Sequence, residues 1–329
     1  MNAPLSHSGL FVGGEWIPAR DSLDVLNPAD GSRVGRCALG SEAELELAVN
    51  AARKAFATTR SLPGYERSAV LTRIAAGIEQ RRDLFASLIV AEAGKPITFA
   101  EAEVNRAIHT FTAAAAESRE TMGELLSMDA FNPGQGHSGL VRRFPIGVIY
   151  GMTPFNFPLN LVAHKVAPAL ASGNCIIVKP SPRTPLTALL LAEVIESAGA
   201  TRGQVNVIVC SNEHAARLVG DPGVAMTSFT GSPAIGWALK ARCGRQKLTL
   251  ELGGNAAVVV HEDADLEAAV PLIATGAFGY AGQSCISVQR ILVHEPVRER
   301  FQELLLSWTT SRVKMGDPTD RECMVGPMI

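Results

Sequence analysis

The chain predicts an α/β protein: a doubly wound parallel sheet, followed by the first part of a second α/β unit. Three observations predict it. Short unbroken apolar runs, "IGVIYG" (146–151), "NCIIVKP" (174–180) and "QVNVIVC" (204–210), alternate with stretches of helical periodicity. Runs of this kind lack the in–out alternation of a half-exposed strand, so both faces of their sheet are covered, as in parallel sheets. The length of 329 residues, 47% of them hydrophobic, suits about two domains and a sizeable core.

The elements follow in order. Residues 1–40, rich in Gly, Pro and Asp, read as an extended arm with turns. Ser41 with Glu44 three residues on is a capping-box start, and helical periodicity continues over 64–80, 82–93 and 97–119. Residues 122–142 change character, and the Asn132-Pro133-Gly134 turn between two extended pieces predicts a β-ribbon. The first strand run leads to a helix from Pro158 to Ala171, the second to the helix in "TPLTALLLAEVIESAG", the third to a short helix in "NEHAARLVG". "AMTSFTGS" (225–232) is a strand with a helix over 232–243, and "KLTLELGG" (247–254) is another strand. "NAAVVVH" (255–261), a helix over 264–280 and the strand "ISVQRILVH" complete the pattern. Ligands on such sheets bind at the carboxyl ends of the strands.

Composition narrows the partners. Thirty basic and thirty-two acidic residues leave a formal net charge of −2, so neither a nucleic-acid nor a membrane surface is expected, and a small molecule is. The six cysteines show no C-x-x-C spacing and read as reduced thiols of a cytoplasmic protein. The opening "MNAPLSHSGL" has no basic segment before an apolar core, so no signal peptide is expected. The longest apolar region, 146–171, is interrupted by Pro154, Asn156, Pro158, His164, Lys165 and Pro168 and is not a membrane span. No metal site is expected.

Five places carry candidate chemistry, each with a plainer reading beside it. Asn156 in "GMTPFNFP" offers an amide donor on a proline-fixed backbone, or is a turn asparagine ahead of a helix. Lys179 ends an apolar strand, where an ammonium reaches ribose or phosphate, or simply leaves the core. Gly231 and Ser232 form a strand-to-helix turn suited to phosphate, or an ordinary capped turn. Glu251, among Leu250, Leu252 and glycines, is costly to bury charged; burial would raise its pKa and suit a general base, whereas the plainer reading is an exposed strand end. Cys285, behind Gly282, Gln283 and Ser284, is a presented nucleophile or a packing residue, and Cys175 inside "NCIIVK" reads as packing.

The ordered set "PFNFP", "NCIIVKPS", "SFTGSPAIG", "LELGGN" and "GQSC" resembles the NAD(P)-dependent aldehyde dehydrogenase superfamily, and the likeness runs from "FVGGEW" to the closing "GDPTDRECMVGPMI". The Glu251-to-Cys285 separation resembles that of the hydrolytic members. The resemblance implies a Rossmann-like cofactor domain (1–121 and 143–253), a β-ribbon for oligomerisation (122–142) and an incomplete catalytic domain (254–329). It implies a Cys285 thiohemiacetal and thioester, an oxyanion held by Asn156 and the Cys285 N–H, and Glu251 activating water. It places NAD or NADP against Thr153, Pro154, Phe155, Lys179, Ser181, Arg183, Gly231, Ser232, Leu252 and Gly253, and the aldehyde against Phe157, His164 and Ser284.

Two departures qualify these implications. Members of the family usually continue Lys-Pro-x-Glu where this chain has Lys179-Pro180-Ser181-Pro182, and the glutamate that favours NAD is replaced by Pro182. Ser181 and Arg183 would then welcome the 2′-phosphate of NADP. Members also continue well past "GPMI", so the chain is expected to be a fragment or truncated product, weakly active or inactive, with a homodimer or tetramer expected of a longer form. Phe157, Leu161 and His164 share one helical face at i, i+4 and i+7, and His164, with Arg106 and His109 on an earlier helix, hints at a small polar or anionic aldehyde of the lactaldehyde or semialdehyde type. Two alternatives stand beside oxidation to the acid: a coenzyme A-acylating enzyme, against which Glu251 counts, and a non-catalytic remnant that binds nucleotide or a partner subunit.

Overall fold

A computed structural model describes residues 9–120 and 123–329. The readings made on residues 1–8 and on Met122 lie outside the described residues. β1 (Leu10–Val12) and β2 (Glu15–Ile17) form an antiparallel hairpin, and β3 (Asp21–Leu26) and β4 (Arg33–Leu39) form another. The extended arm with turns expected over this stretch is extended, and its strands pair into hairpins that the sequence reading does not foresee. Gly13 and Gly14, at φ 65° and 81°, close a tight turn without a Cβ penalty, and β1 then pairs with the main sheet.

Four helices follow: α1 (Glu42–Thr59), α2 (Gly64–Gln80), α3 (Arg82–Ala93) and α4 (Ile97–Glu117). The capping box is present. The Ser41 hydroxyl accepts from the Ala43 N–H, and the Glu44 carboxylate accepts from the Ser41 N–H at 2.7 Å. β5 (Gly123–Ser127) and β6 (Ser138–Arg142) pair antiparallel as the expected ribbon.

The alternating region gives β7 (Val148–Met152), α5 (Asn160–Ala171), β8 (Cys175–Lys179), α6 (Leu186–Ser197), β9 (Val205–Val207), α7 (Asn212–Ala215), β10 (Met226–Gly231), α8 (Pro233–Arg242) and β11 (Lys247–Leu252). The seven-stranded sheet runs β11-β10-β7-β8-β9-β1-β2, and its five strands from β7 to β11 are all parallel. The chain winds outward from β7 to β8 and β9, then crosses back to lay β10 and β11 on the other side. That reversal makes the carboxyl ends of β7 and β10 a topological switch point, where a crevice is left open.

β12 (Ala256–Val260), α9 (Leu266–Phe278), β13 (Val288–Val293) and α10 (Arg298–Arg312) complete the chain, with β12 and β13 parallel. α10 has no counterpart in the sequence reading, although Phe301, Leu304, Leu305 and Trp308 recur at i, i+3, i+4 and i+7 and pack on the same small core as Val260, Val270 and Ile273. A much larger core holds buried apolar residues from Leu10 to Leu239. Among the described residues no helix is long and apolar enough to cross a membrane.

Candidate active site

The switch-point crevice is a cleft of about 500 Å³. Its walls include Thr153, Pro154 and Phe155 after β7, Lys179, Ser181 and Arg183 after β8, and Gly231 and Ser232 after β10. Leu252 and Gly253 are not among the lining residues. They stand on the next strand end, with Leu252 in register with Gly231. Sequence reasoning missed Asn212 of α7, whose side chain lines the same cleft and accepts a 2.7 Å hydrogen bond from Lys179 Nζ.

Three features prepare this cleft for a polar guest. Lys179 is buried, and desolvation lowers its pKa. Thr153 Oγ1 is buried without a hydrogen-bond partner, a group that normally demands one. A Cβ added to Gly231 would meet the Phe229 ring at 2.5 Å, so only glycine keeps the strand end this tight. Ser181 is buried and its hydroxyl accepts from the Arg183 N–H at 3.2 Å, which fixes the turn and leaves the Arg183 side chain exposed at the rim.

Cys285 lies in the turn between α9 and β13 and is exposed, unlike buried Cys37, Cys175, Cys210 and Cys323. The sequence reading ran the preceding helix to residue 280. The structure ends α9 at Phe278, and Tyr280, Ala281 and Gly282 take left-handed φ values of 54°, 55° and 68°. Left-handed backbone costs a non-glycine residue roughly 1–2 kcal/mol, so the turn needs outside support. Tyr280 supplies it: its hydroxyl donates to Ala93 O and its N–H to Met324 O, both at 3.0 Å. Ser284 is half-buried beside the thiol, and its hydroxyl accepts from the Ile286 N–H.

Asn156 is brought to this turn. Its Nδ2 donates to Gln283 O, two residues before the thiol, at 3.0 Å, and its Oδ1 is buried without a partner. One N–H of the amide remains for a guest. Glu251 takes the plainer of its two expected environments: it is exposed on edge strand β11 rather than buried among its apolar neighbours. Among the described residues no hydrogen bond or ion pair joins it to Asn156 or Cys285. Its charge instead acts on Lys165 of α5, which the sequence reading passed over. Burial lowers the Lys165 pKa to about 8 against the pull of Glu251, and its ammonium donates to Ser228 and Thr230 at 2.9 Å.

The expected helical face for the aldehyde is only partly present. α5 starts at Asn160 rather than Pro158, so Phe157 precedes it, although the Leu161 N–H still bonds Phe157 O at 3.1 Å. His164 is exposed and lines a separate cavity of about 530 Å³ with Thr110, Glu117 and Arg143. Desolvation lowers its pKa, with Arg106 and Lys165 adding to the shift and Glu251 opposing it. Metal-ligand spacing occurs among the described residues at His261, Glu262 and His294, all exposed and none of them a site residue above.

A family model described as the aldehyde dehydrogenase family matches residues 16–329. The chain belongs to the aldehyde dehydrogenase family. It is 37% identical to a 3-sulfolactaldehyde dehydrogenase of Priestia aryabhattai, over 98% of this chain and 67% of that protein. Aldehyde dehydrogenase 21 of Physcomitrella patens, solved in complex with its reaction product succinate, superposes at a TM-score of 0.94 with 36% identity, covering 98% of this chain and 67% of that one. An NAD-dependent aldehyde dehydrogenase of Sinorhizobium meliloti gives 0.93 with 35% identity, covering 98% and 65%. The chain therefore spans about two thirds of the length of these aldehyde dehydrogenases, and the α/β architecture read from sequence is theirs.

Proposed function

We propose that this aldehyde dehydrogenase chain oxidises a small anionic aldehyde to its carboxylate, with Cys285 as nucleophile and a nicotinamide dinucleotide in the switch-point cleft. The observation that carries the reading is the 3.0 Å hydrogen bond from Asn156 to Gln283 O, which ties an amide donor to the turn that carries an exposed thiol. The cleft suits the dinucleotide: an unpartnered Thr153 hydroxyl, the Lys179 ammonium and the Gly231–Ser232 turn offer hydrogen bonds to sugar and phosphate oxygens. When bound, that cofactor supplies the acceptor for a hydride.

The residues then divide the work. The Cys285 thiolate adds to the carbonyl carbon, and the free Asn156 N–H with the Cys285 N–H takes the oxyanion. With the dinucleotide bound as acceptor, loss of hydride would leave a thioester on Cys285. Glu251, open to solvent, takes a proton from water as the water adds to the thioester carbonyl, and the thiolate leaves with a carboxylic acid as product. Leu252 and Gly253, one strand over from Gly231, would hold the cofactor's nicotinamide end.

Arg183 at the cleft rim, with an uncharged proline beside it at 182 and so no carboxylate there to repel a 2′-phosphate, supports use of NADP as well as NAD. A sulfonated aldehyde for one relative and a dicarboxylate product for another support an anionic substrate, for which Arg106, 5.8 Å from the Phe157 ring centre, supplies positive character. The separate small core supports a catalytic unit from residue 254, and the free cysteines support a reducing, cytoplasmic setting. The test compares reduced-dinucleotide formation from succinic semialdehyde and from propanal, in the parent and Cys285→Ser. We expect weak turnover that favours the anionic aldehyde and vanishes in the variant while dinucleotide binding persists. Equal turnover in Cys285→Ser overturns the reading.

A further inference from the structure

A buried ion pair lies between the two reactive loops and is used by none of the steps above. Lys95 and Glu103 are each 1% exposed, and the Lys95 ammonium is hydrogen-bonded to Glu103 Oε2. Glu103 Oε1 accepts from the Leu159 and Asn160 N–H groups at 2.9 and 3.0 Å. Those groups open α5, which has no side-chain cap of its own, directly after the Asn156 segment. The ammonium also sits 3.7 Å from the ring centre of Phe157 and 4.7 Å from that of Tyr280. Phe157 is the residue after Asn156, and Tyr280 is the first left-handed residue of the Cys285 turn. One cation thus touches both loops, and its carboxylate partner holds the helix that carries one of them.

We propose that Lys95 and Glu103 are positioning residues that hold the Asn156 amide and the Cys285 turn at a common spacing. Their value lies in the desolvated cation between two rings. A cation is favoured there only with a counter-charge, and Glu103 provides it while capping α5. The inference rests on the aldehyde-oxidising reading for its catalytic meaning, but its geometric content stands apart from turnover.

The test uses the full chain as parent, Lys95→Met, and Lys95→Met with Glu103→Gln. Lys95→Met alone strands a buried carboxylate and lowers stability steeply. The double variant removes both charges and keeps an amide oxygen for the Leu159 and Asn160 N–H groups, so it folds while losing the clamp. Hydrogen exchange of segments 153–160 and 279–287 is measured beside kcat and KM with succinic semialdehyde. In the double variant we expect both segments to exchange together about tenfold faster, with α2 and α6 unchanged. We expect kcat to fall about 100-fold and KM for the dinucleotide to stay within about twofold. Faster exchange in one segment only, in neither, or throughout the protein overturns the proposal, as does an unchanged kcat in the folded double variant. If the parent forms no reduced dinucleotide, the aldehyde-oxidising reading falls, and the exchange measurement still decides whether the pair couples the loops.

Discussion

At the scale of single residues, the Asn156 amide does two things at once. One N–H fixes the nucleophile turn through Gln283 O, and the other is left for the carbonyl oxygen. Asn156→Ala removes both, and the loss of one oxyanion donor costs about 10²–10³ in kcat. Asn156→Asp keeps the shape but places a carboxylate oxygen against Gln283 O and the developing oxyanion. We expect its kcat to fall at least as far, with dinucleotide affinity near the parent in both variants, measured by steady-state rates and by titration of cofactor fluorescence. Equal kcat in parent and Asn156→Ala would exclude the amide from the reaction. Cys285, Asn156 and Lys179 could be picked out because short local words framed each of them. Asn212 could not, because its meaning comes from Lys179, 33 residues away in the chain. Glu251 was legible as a position but its environment was left open between two readings: the leucines beside it on β11 point elsewhere, and edge placement is a property of the sheet.

At the scale of elements, helix starts show how this fold supports its cleft. α5 and α6 both follow strands of the parallel sheet, and neither has a side-chain cap from its own segment. Each is capped instead by a buried glutamate from another helix. Glu92 of α3 accepts from the Leu186 and Thr187 N–H groups at 2.8 and 2.9 Å and from the Thr187 hydroxyl, much as Glu103 serves α5. Burial raises the Glu92 pKa from 4.5 to about 7, against the three donors. The folded value lies above the unfolded one, so the protonated carboxyl favours the fold below about pH 4.5, and that contribution is lost as pH climbs to about 7. In urea unfolding, the stability of the parent relative to Glu92→Gln, which does not titrate, should therefore fall by about 2–3 kcal/mol between pH 5 and pH 8. A constant difference would place Glu92 in the ionised form throughout. The sequence held a sign of both glutamates. Glu92 follows Leu88 and Ile89 on the buried face of α3, and Glu103 shares a stripe with Ala100, Val104 and Ala107 on α4. A charge on an apolar stripe signals a buried partner, but not which helix end it serves.

At the scale of the whole molecule, the parallel sheet was legible because its strands are continuous apolar words, whereas the first two hairpins were not. β1 and β2 are three residues each, and what makes them strands is the edge of β9, about 200 residues away in the chain. The ribbon of β5 and β6 raises a different question, because two strands alone are marginal in water. Leu125 and Leu140 face each other across it at 77% and 70% exposure, and Phe131 near its turn is 80% exposed. Strands that show apolar side chains to solvent in this way need a covering surface. The sheet edge is a poor place for that surface to form: β11 presents exposed Lys247 and Glu251, and pairing there would cover a proposed catalytic carboxylate. We therefore propose the ribbon as the face through which any self-association of this chain would run. Leu125→Lys with Leu140→Lys places like charges opposite each other and removes the apolar contact. Light scattering should give the parent a mass above, and the variant a mass equal to, the 34.8 kDa of one chain, with the far-ultraviolet signature of the main sheet unchanged, and a parent that already elutes at one chain's mass would exclude the ribbon as an interface. An unchanged oligomer mass in that variant would move the interface off the ribbon.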